Sequence, residues 1–521
     1  MSRDNKIIGA TILLMGVTFS SKIISFIREI FIAAEFGTSQ QADIFVAVST
    51  IPILLLTVSS GALSAALVPM IIRLRNQDDS IRLKQLVSSI FSLTSLIMLG
   101  LTLLLYIFII PFTDVYVIGF DQEAKMLTAD MIKIIIPALV AIVLISLFSA
   151  VLNAHHHFFT PSLGPIFYSL GIIVATVLFA KDYGVKSLII GMAIGIALQF
   201  ILILIVAFKK GIRFIPRIHI NEDVKKVGLL ILPIFIGIGA FQINTLVDRM
   251  MASTLPHGSL AALNYANRIT QLPLSIFVGS MVLPLFPAIA DKIADKNFDG
   301  ARSLISRSYH LLGIILIPVI GVFVVLAEPV VAILFQRGEF DADASKITGL
   351  ALAFYAFMIL PFAMRDIMTR ALYSMQDTWT PVINSVLLVA VNVILMITFV
   401  PKLGMIAIAG STSLSAIFGY TRLRYKLNKK MGKGDTRKER RIWLLIWRNA
   451  ILFILIAWTS YQGLYLFLDN PTGFDLWFRT LAGIFVAGII YIYLTLRLDT
   501  EEVKWLKSRV KDILKKVLRK E

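Results

Sequence analysis

The chain has 521 residues, of which 57% are hydrophobic and only 16% are charged, and its mean hydropathy is +0.83. Soluble proteins carry about 25% charged residues, so this composition indicates an integral membrane protein. The lack of cysteine excludes disulfides and thiolate metal sites, and the formal charge of +18 is explained by basic cytoplasmic loops without a nucleic-acid partner.

Windows of about 20 apolar residues predict about fourteen transmembrane helices. The first twelve windows lie near residues 7–34, 43–72, 85–112, 128–153, 159–181, 186–208, 224–252, 259–289, 305–335, 345–374, 379–400 and 405–423, and two more lie near 443–468 and 474–496. If the N-terminus is cytoplasmic, the inner segments hold 35 of the 50 Lys and Arg residues and the outer loops hold seven. This bias predicts that both termini are cytoplasmic.

An internal repeat divides the first twelve windows. One constant shift along the chain aligns Arg28 with Arg249 and Pro52 with Pro273, and a shift shorter by a single position aligns Thr160-Pro161 with Thr380-Pro381. Six helices separate the copies, an even number, so the halves run in the same direction across the membrane. The predicted fold is therefore an all-α membrane protein with two six-helix parallel repeats forming two lobes, followed by two further helices.

The predicted domain bounds follow from this repeat. The N-terminal lobe covers residues 1–210, the C-terminal lobe 222–430 and the two additional helices 443–496. The connector 425–441 is a basic solvated loop by composition. The tail, 499–521, alternates apolar and basic residues at helical spacing, which predicts an amphipathic helix on the inner leaflet.

Charged residues inside the apolar windows are the candidate site. Lys22, Arg28, Glu29 and Asp43 lie in the first two windows, and hydrocarbon opposes each charge by about 2.5 to 3.5 kcal/mol at a helix centre. One explanation is a self-neutralised ion pair between helices. Further cations lie in the second repeat and at its start, at Arg249, Arg268 and Arg365. Because guanidinium groups match phosphate oxygens two at a time, the set predicts an anionic ligand such as a diphosphate.

Other residues indicate movement or a coupling ion. Pro52 and Pro273 fall inside predicted helices and Gly61 follows the first of them, so these residues are candidate hinges. Asp248, Asn392 and Thr412 supply oxygens that could hold Na⁺. We find no motif of a hydrolase, metalloprotease or nucleotide-binding enzyme, so we expect no catalytic residues and no cofactor.

Several motifs resemble one known family in order along the chain. They are S-K-x-x-S-F-x-R-E-x-x-x-A-x-x-F-G, A-D-x-F-x-A and GALSAALVP in the first repeat, and QINTLVDRMMAS, LNYANRITQLP, LFQRGEFDADA and RALYSMQDTWTP later. These motifs span roughly residues 10–430 and are similar to those of the MurJ (MviN) family of lipid II flippases, within the MOP exporter superfamily.

The resemblance implies a cationic central cavity that binds the diphosphate of a lipid-linked peptidoglycan precursor. Carried over by position, it assigns binding roles to Ser21 with Lys22, Arg28 with Glu29, Asp43 and Arg268, which match the motifs of the family. The last two helices resemble those that form a lateral groove for the lipid tail. The sequence departs from the family at Leu56 and Thr57, where many members carry two Arg, and at Ser169, where the family has Asn.

We therefore expect a bacterial inner-membrane flippase that moves lipid II outward by alternating access, with cell-wall synthesis enzymes as further partners. The alternatives are a flippase for another lipid-linked oligosaccharide, or a small-molecule or cation-coupled antiporter of the same superfamily. An antiporter of this kind would have acidic rather than basic cavity residues. A membrane scaffold without transport activity is a further alternative.

Overall fold

We analysed a computed structural model of the chain, which describes residues 3–212, 217–432, 434, 436–465, 473–498, 500–504 and 507–508. Every regular element among these residues is a helix. The helices are α1 (Arg3–Phe36), α2 (Gln40–Asn76), α3 (Ser80–Ile107), α4 (Ile109–Tyr116), α5 (Gln122–Ala154), α6 (Phe159–Ser162), α7 (Gly164–Tyr183), α8 (Val185–Lys209), α9 (Glu222–Ser253), α10 (Ser259–Pro273), α11 (Gly279–Ala294), α12 (Phe298–Val325), α13 (Ala327–Phe335), α14 (Ala342–Ala356), α15 (Ile359–Ser374), α16 (Trp379–Leu403), α17 (Met405–Met431), α18 (Thr436–Tyr465) and α19 (Phe474–Leu496).

Eleven candidate spans among the described residues are long and apolar enough to cross a membrane. The outer surfaces of several helices are apolar: on α3, for example, Leu96, Leu99 and Leu103 are each more than half exposed. A water-soluble protein would bury such residues, whereas lipid tails solvate them. The predicted all-α membrane fold is confirmed, and the count of about fourteen spans stays a prediction.

The chain forms two compact units, the first made of residues 1–261 with 337–341 and the second of 262–336 with 342–521. In the first unit α5 is the central helix and packs against α2, α3 and α8. Its C-terminal half contains a continuous run of buried residues from Ile142 to Leu152. This run lacks charged residues on every side, as expected for a helix segment that neighbours surround.

The second unit is organised around α12, which packs against α11, α14, α15 and α18. Its buried face includes Leu312 and Leu316, which join an apolar cluster with Met364 and Met368 of α15. A second cluster joins α12 to α18 and α19 through Ile317, Ile446 and Tyr491. The predicted domain bounds stay predictions. Most of the predicted amphipathic tail, including residues 505–506 and 509–521, lies outside the described residues.

The backbone repeats with nearly the same offset as the sequence. Left-handed residues occur in matching turns at Gly37 and Gly258, Asp78 and Lys296, His156 and Gln376, Gly184 and Gly404, and Gly211 and Gly432. Such residues mark where a helix must end and turn sharply, so the two repeats place their helix ends at equivalent positions.

Several predicted spans are broken where the apolar pattern is continuous. The window 85–112 is interrupted at Phe108 and the window 305–335 at Leu326, which occupy equivalent places in the two repeats. The window 259–289 contains Pro273, after which residues 274–278 form a π-helical turn before α11 begins. Proline lacks an amide hydrogen and disturbs the hydrogen-bond ladder, which accounts for an irregular turn at this point.

Candidate functional site

Arg28 and Glu29 form a buried ion pair on α1. Their side chains are 5% and 4% exposed, and the Arg28 Nη2 lies 2.5 Å from Glu29 Oε1. Adjacent residues on a helix point about 100° apart, so the two long side chains must bend toward each other to make this contact. The self-neutralised pair considered from the sequence is therefore present in the first unit.

Helix α7 supplies further neighbours of Arg28. The guanidinium donates from Nη1 to Ser169 Oγ at 3.3 Å, and Ser25 of α1 shares a hydrogen bond of 3.2 Å with the same Ser169 hydroxyl. The guanidinium carbon lies 5.0 Å from the centroid of the Tyr168 ring. The sequence noted Ser169 only as a departure from the family and missed Tyr168, because α1 and α7 are far apart along the chain.

One donor of Arg28 remains available among the described residues. Its Nε is buried and has no hydrogen-bond partner there. Guanidinium groups bind phosphate most strongly when two N–H groups point to it together. The buried Arg28 thus keeps donor capacity that its present neighbours do not use.

Lys22 and Ser21, predicted as binding residues, differ in their surroundings. Lys22 is exposed, whereas Ser21 is 5% exposed and donates its hydroxyl to the Thr18 carbonyl at 2.8 Å within α1. Lys22 precedes Arg28 by nearly two helical turns, so it lies about 9 Å away along the helix. The exposed Lys22 and the buried Arg28–Glu29 pair therefore lie at different positions along the axis of α1.

Asp43 binds backbone amides in the structure. It is 2% exposed, and its two carboxylate oxygens accept from the Gly258 N–H at 2.6 Å and the Ala261 N–H at 2.7 Å. Those amides belong to the start of α10, where unpaired N–H groups and the helix dipole favour a carboxylate. Asp43 therefore acts as a cap for a helix that is distant in the sequence, and its predicted role in binding stays a prediction.

Close backbone packing surrounds this cap. Cβ atoms added to Gly37 and Gly258 would lie 2.3 Å from Glu339 O and 2.0 Å from Thr38 O, closer than real contacts allow. Both glycines have positive φ angles of 54° and 86°. Only glycine meets both requirements at little cost. The turn between α1 and α2 is thus fixed by backbone contacts with two other segments of the first unit.

The other predicted cations divide between the units. Arg249 is half-buried on α9 in the first unit and lies near enough to Asp43 to interact with its charge. Arg268 and Arg365 are half-buried in the second unit, and the Arg365 guanidinium lies 4.7 Å from the centroid of the Phe362 ring. The binding roles of these three arginines stay predictions.

Two of the three predicted hinge residues lie where a helix is irregular or tightly packed. Pro273 precedes the π-helical turn, and a Cβ on Gly61 would lie 2.5 Å from Ile238 Cδ1 of α9. Pro52 is buried inside α2. Movement at these residues stays a prediction.

The proposed Na⁺ residues are placed on α9, α16 and α17. Asp248 accepts from the Asn244 side chain at 3.3 Å, Asn392 is fully buried, and the Thr412 hydroxyl donates to the Ile408 carbonyl. Among the described residues, no three His, Asp or Glu side chains lie together in a cluster suited to a metal. Na⁺ binding stays a prediction.

Comparisons with known proteins agree on one family. A family model described as "Lipid II flippase MurJ" matches residues 32–478. The "Probable lipid II flippase MurJ" of Rhizobium meliloti is 27% identical over 470 residues, which cover 86% of each chain. The "Lipid II flippase MurJ" of Burkholderia cenocepacia is 27% identical over 436 residues, covering 81% of this chain and 84% of that protein.

Solved structures agree with the fold. The structure described as "Lipid II flippase MurJ, inward closed conformation" matches with a TM-score of 0.80 at 26% identity, covering 93% of this chain and 98% of that one. An inward-facing multidrug resistance MATE family transporter of the MOP superfamily matches with a TM-score of 0.66 at 16% identity, covering 81% and 99%. The second match supports the fold alone.

Proposed function

This chain belongs to the lipid II flippase MurJ family, and we propose that it moves lipid II across the bacterial inner membrane from the inner to the outer leaflet. The family membership carries this proposal. The activity is transport and not catalysis, and the mechanism proposed is alternating access with both termini in the cytoplasm. Contacts with cell-wall synthesis enzymes stay predictions.

The buried pair on α1 supports a role in binding the diphosphate. In this proposal Arg28 exchanges Glu29 for phosphate oxygens, using the Nε donor that has no partner among the described residues. Lys22, exposed on the same helix, attracts the anion before it reaches Arg28. We also propose a diphosphate-binding role for Arg268 of the second unit, and bending of helices at Pro52, Gly61 and Pro273.

The membrane potential supplies part of the driving force. An inside-negative potential favours outward movement of an anion by about 2.3 kcal/mol per charge per 100 mV if the whole field is crossed. A diphosphate carries more than one negative charge, so the potential alone can bias the direction of transport. This expectation requires no bound cofactor.

The test is transport of lipid II by the purified full-length chain in liposomes. We expect Arg28→Ala to lower the rate at least about tenfold, because a buried charge interaction of about 2 kcal/mol changes a rate by more than that factor. Arg73→Ala is the control, since it removes an exposed cation from the last turn of α2. Arg28→Gln/Glu29→Gln removes both charges and avoids leaving a buried carboxylate alone.

Two outcomes would contradict different parts of the proposal. Lipid II transport that survives in both Arg28 variants would remove Arg28 from the binding set. If the chain transports a different undecaprenyl-diphosphate glycan but not lipid II, the proposal that lipid II is the substrate is refuted. The second outcome is tested because Leu56 and Thr57 replace a basic pair that many family members carry.

A further inference from the structure

Tyr168 is an aromatic neighbour of the Arg28 guanidinium. The guanidinium carbon lies 5.0 Å from the centre of its ring, within the distance of about 6 Å at which a cation and an aromatic face attract each other. The guanidinium is also largely desolvated, because Arg28 is 4% exposed. Such contacts are stronger when water is excluded.

The backbone of Tyr168 is fixed by close packing of α7 against α8. A Cβ on Gly195 would lie 2.4 Å from the Phe167 carbonyl oxygen and 3.1 Å from the Tyr168 Cα. Farther along the same contact, a Cβ on Gly171 would lie 2.3 Å from the Gly191 carbonyl oxygen. Small residues at these positions let the two helices touch along their backbones, which holds Tyr168 at a defined depth.

The chemistry of Tyr168 differs from that of Glu29. Glu29 neutralises Arg28 and therefore competes with any anion that approaches the guanidinium. The face of a tyrosine ring and the hydroxyl of Ser169 attract the guanidinium without carrying a negative charge. They can hold Arg28 in place while Glu29 gives way to an anion.

We propose that Tyr168 is a positioning residue that holds the Arg28 guanidinium when its bond to Glu29 is broken. The contact itself is independent of the substrate. Its contribution to transport rests on the proposed function, because it acts on the diphosphate only through Arg28.

The first test measures the accessibility of Arg28 without any lipid substrate. Phenylglyoxal modifies arginine side chains, and mass spectrometry of peptides gives the modification rate at residue 28. We expect Tyr168→Leu to raise that rate at least about fivefold, because the guanidinium loses one face of its surroundings. Tyr168→Phe keeps an aromatic face and should stay within about twofold of the wild type.

Matched controls separate this effect from general loosening. Phe179→Leu makes a similar change at an exposed aromatic residue on the same helix, and it should leave the modification rate of Arg28 unchanged. Arg75 is the internal reference, since its guanidinium donates to the Ala154 carbonyl at 2.8 Å in another part of the first unit. If Tyr168→Leu does not fold, Tyr168→Met, which is closer to tyrosine in length, takes its place. An Arg28 rate that stays unchanged in a folded variant of either kind would overturn the proposal.

The second test is a double-mutant cycle on lipid II transport. Tyr168→Leu should raise the KM about five- to thirtyfold, the factor that corresponds to a desolvated cation–aromatic contact of about 1 to 2 kcal/mol. In the Arg28→Ala background the same substitution should have no further effect, because the residue through which it acts is gone. Equal losses in both backgrounds would refute a positioning role. If the wild type moves no lipid II, the proposed function fails, and the modification rate of Arg28 still decides the role of Tyr168.

Discussion

Replacing Asp43 by alanine should selectively expose the backbone amides at the start of α10. Asp43 accepts from the Gly258 and Ala261 amides at 2.6 and 2.7 Å, and it is 2% exposed. Alanine leaves both N–H groups without this acceptor in a place that water reaches poorly. The substitution should therefore loosen this turn before it affects more distant helices.

The magnitude follows from the two hydrogen bonds. A hydrogen bond to a charged group contributes about 1.5 to 3 kcal/mol, so loss of both removes about 3 to 6 kcal/mol before relaxation. If water replaces one of the two bonds, the substitution still costs about 2 kcal/mol. This cost corresponds to a factor of about 30 in the equilibrium for local opening of the turn. We expect the exchange of the Gly258 and Ala261 amides to accelerate by at least this factor.

The assay is hydrogen exchange followed by mass spectrometry on the purified protein in micelles. Peptides that cover residues 254–263 report the effect. Peptides that cover the start of α5 are the control, because the Asp121 carboxylate there accepts from the Ala124 N–H at 2.8 Å and is not changed by the substitution. Asp43→Asn keeps one acceptor oxygen and should give an intermediate rate. Unchanged exchange at residues 258–261 in Asp43→Ala would refute the capping role.

Two further predictions concern carboxylates outside the membrane-spanning helices. Partial burial opposes ionisation of Asp377, but the ion pair with Lys430 at 2.6 Å and the hydrogen bonds from Thr380 together outweigh it and lower the pKa of the carboxyl to about 2. The stability that this pair adds should be present above about pH 4 and lost as the pH falls toward 2, and thermal unfolding of Asp377→Asn should lack that pH dependence. Burial likewise opposes ionisation of Glu502, but its hydrogen bond with His310, at 2.9 Å, together with bonds from its own backbone amide and from the Thr500 hydroxyl, lowers the pKa of this carboxyl. Glu502→Ala should lower the unfolding temperature at pH 7 more than Glu501→Ala, which removes only exposed ion pairs, and equal effects would contradict this reasoning.

The sequence predicted the features that depend on local composition. The charges of Arg28 and Glu29 in an apolar window predicted a special site, since hydrocarbon rejects an isolated charge. The repeat was visible as well, because turns at equivalent places need the same backbone geometry. Gly184 and Gly404, for example, both have positive φ.

Features that depend on how helices pack could not be read from the sequence. Tyr168 reaches Arg28 because α7 packs against α1, and no local pattern in the sequence marks that contact. The hydrogen bonds of Asp43 to the amides at the start of α10 could not be predicted either, because the two segments are far apart in the sequence. The break at Phe108 falls within a run of apolar residues, where hydropathy alone gives no signal.

Under the proposed function, the burial of Arg28 sets what a diphosphate must offer in order to bind. Removing one partner of a buried ion pair costs about 3 to 5 kcal/mol, so a diphosphate that displaced Glu29 and offered nothing in return would not bind. A phosphate that receives two parallel N–H bonds offsets this cost while the guanidinium stays neutralised. The net affinity is then a small difference between two strong interactions. A transporter requires such a balance, since a substrate held by an unpaired buried arginine would be released too slowly for turnover. Under the proposed function, Glu29 therefore favours release of the diphosphate as much as Arg28 favours its capture.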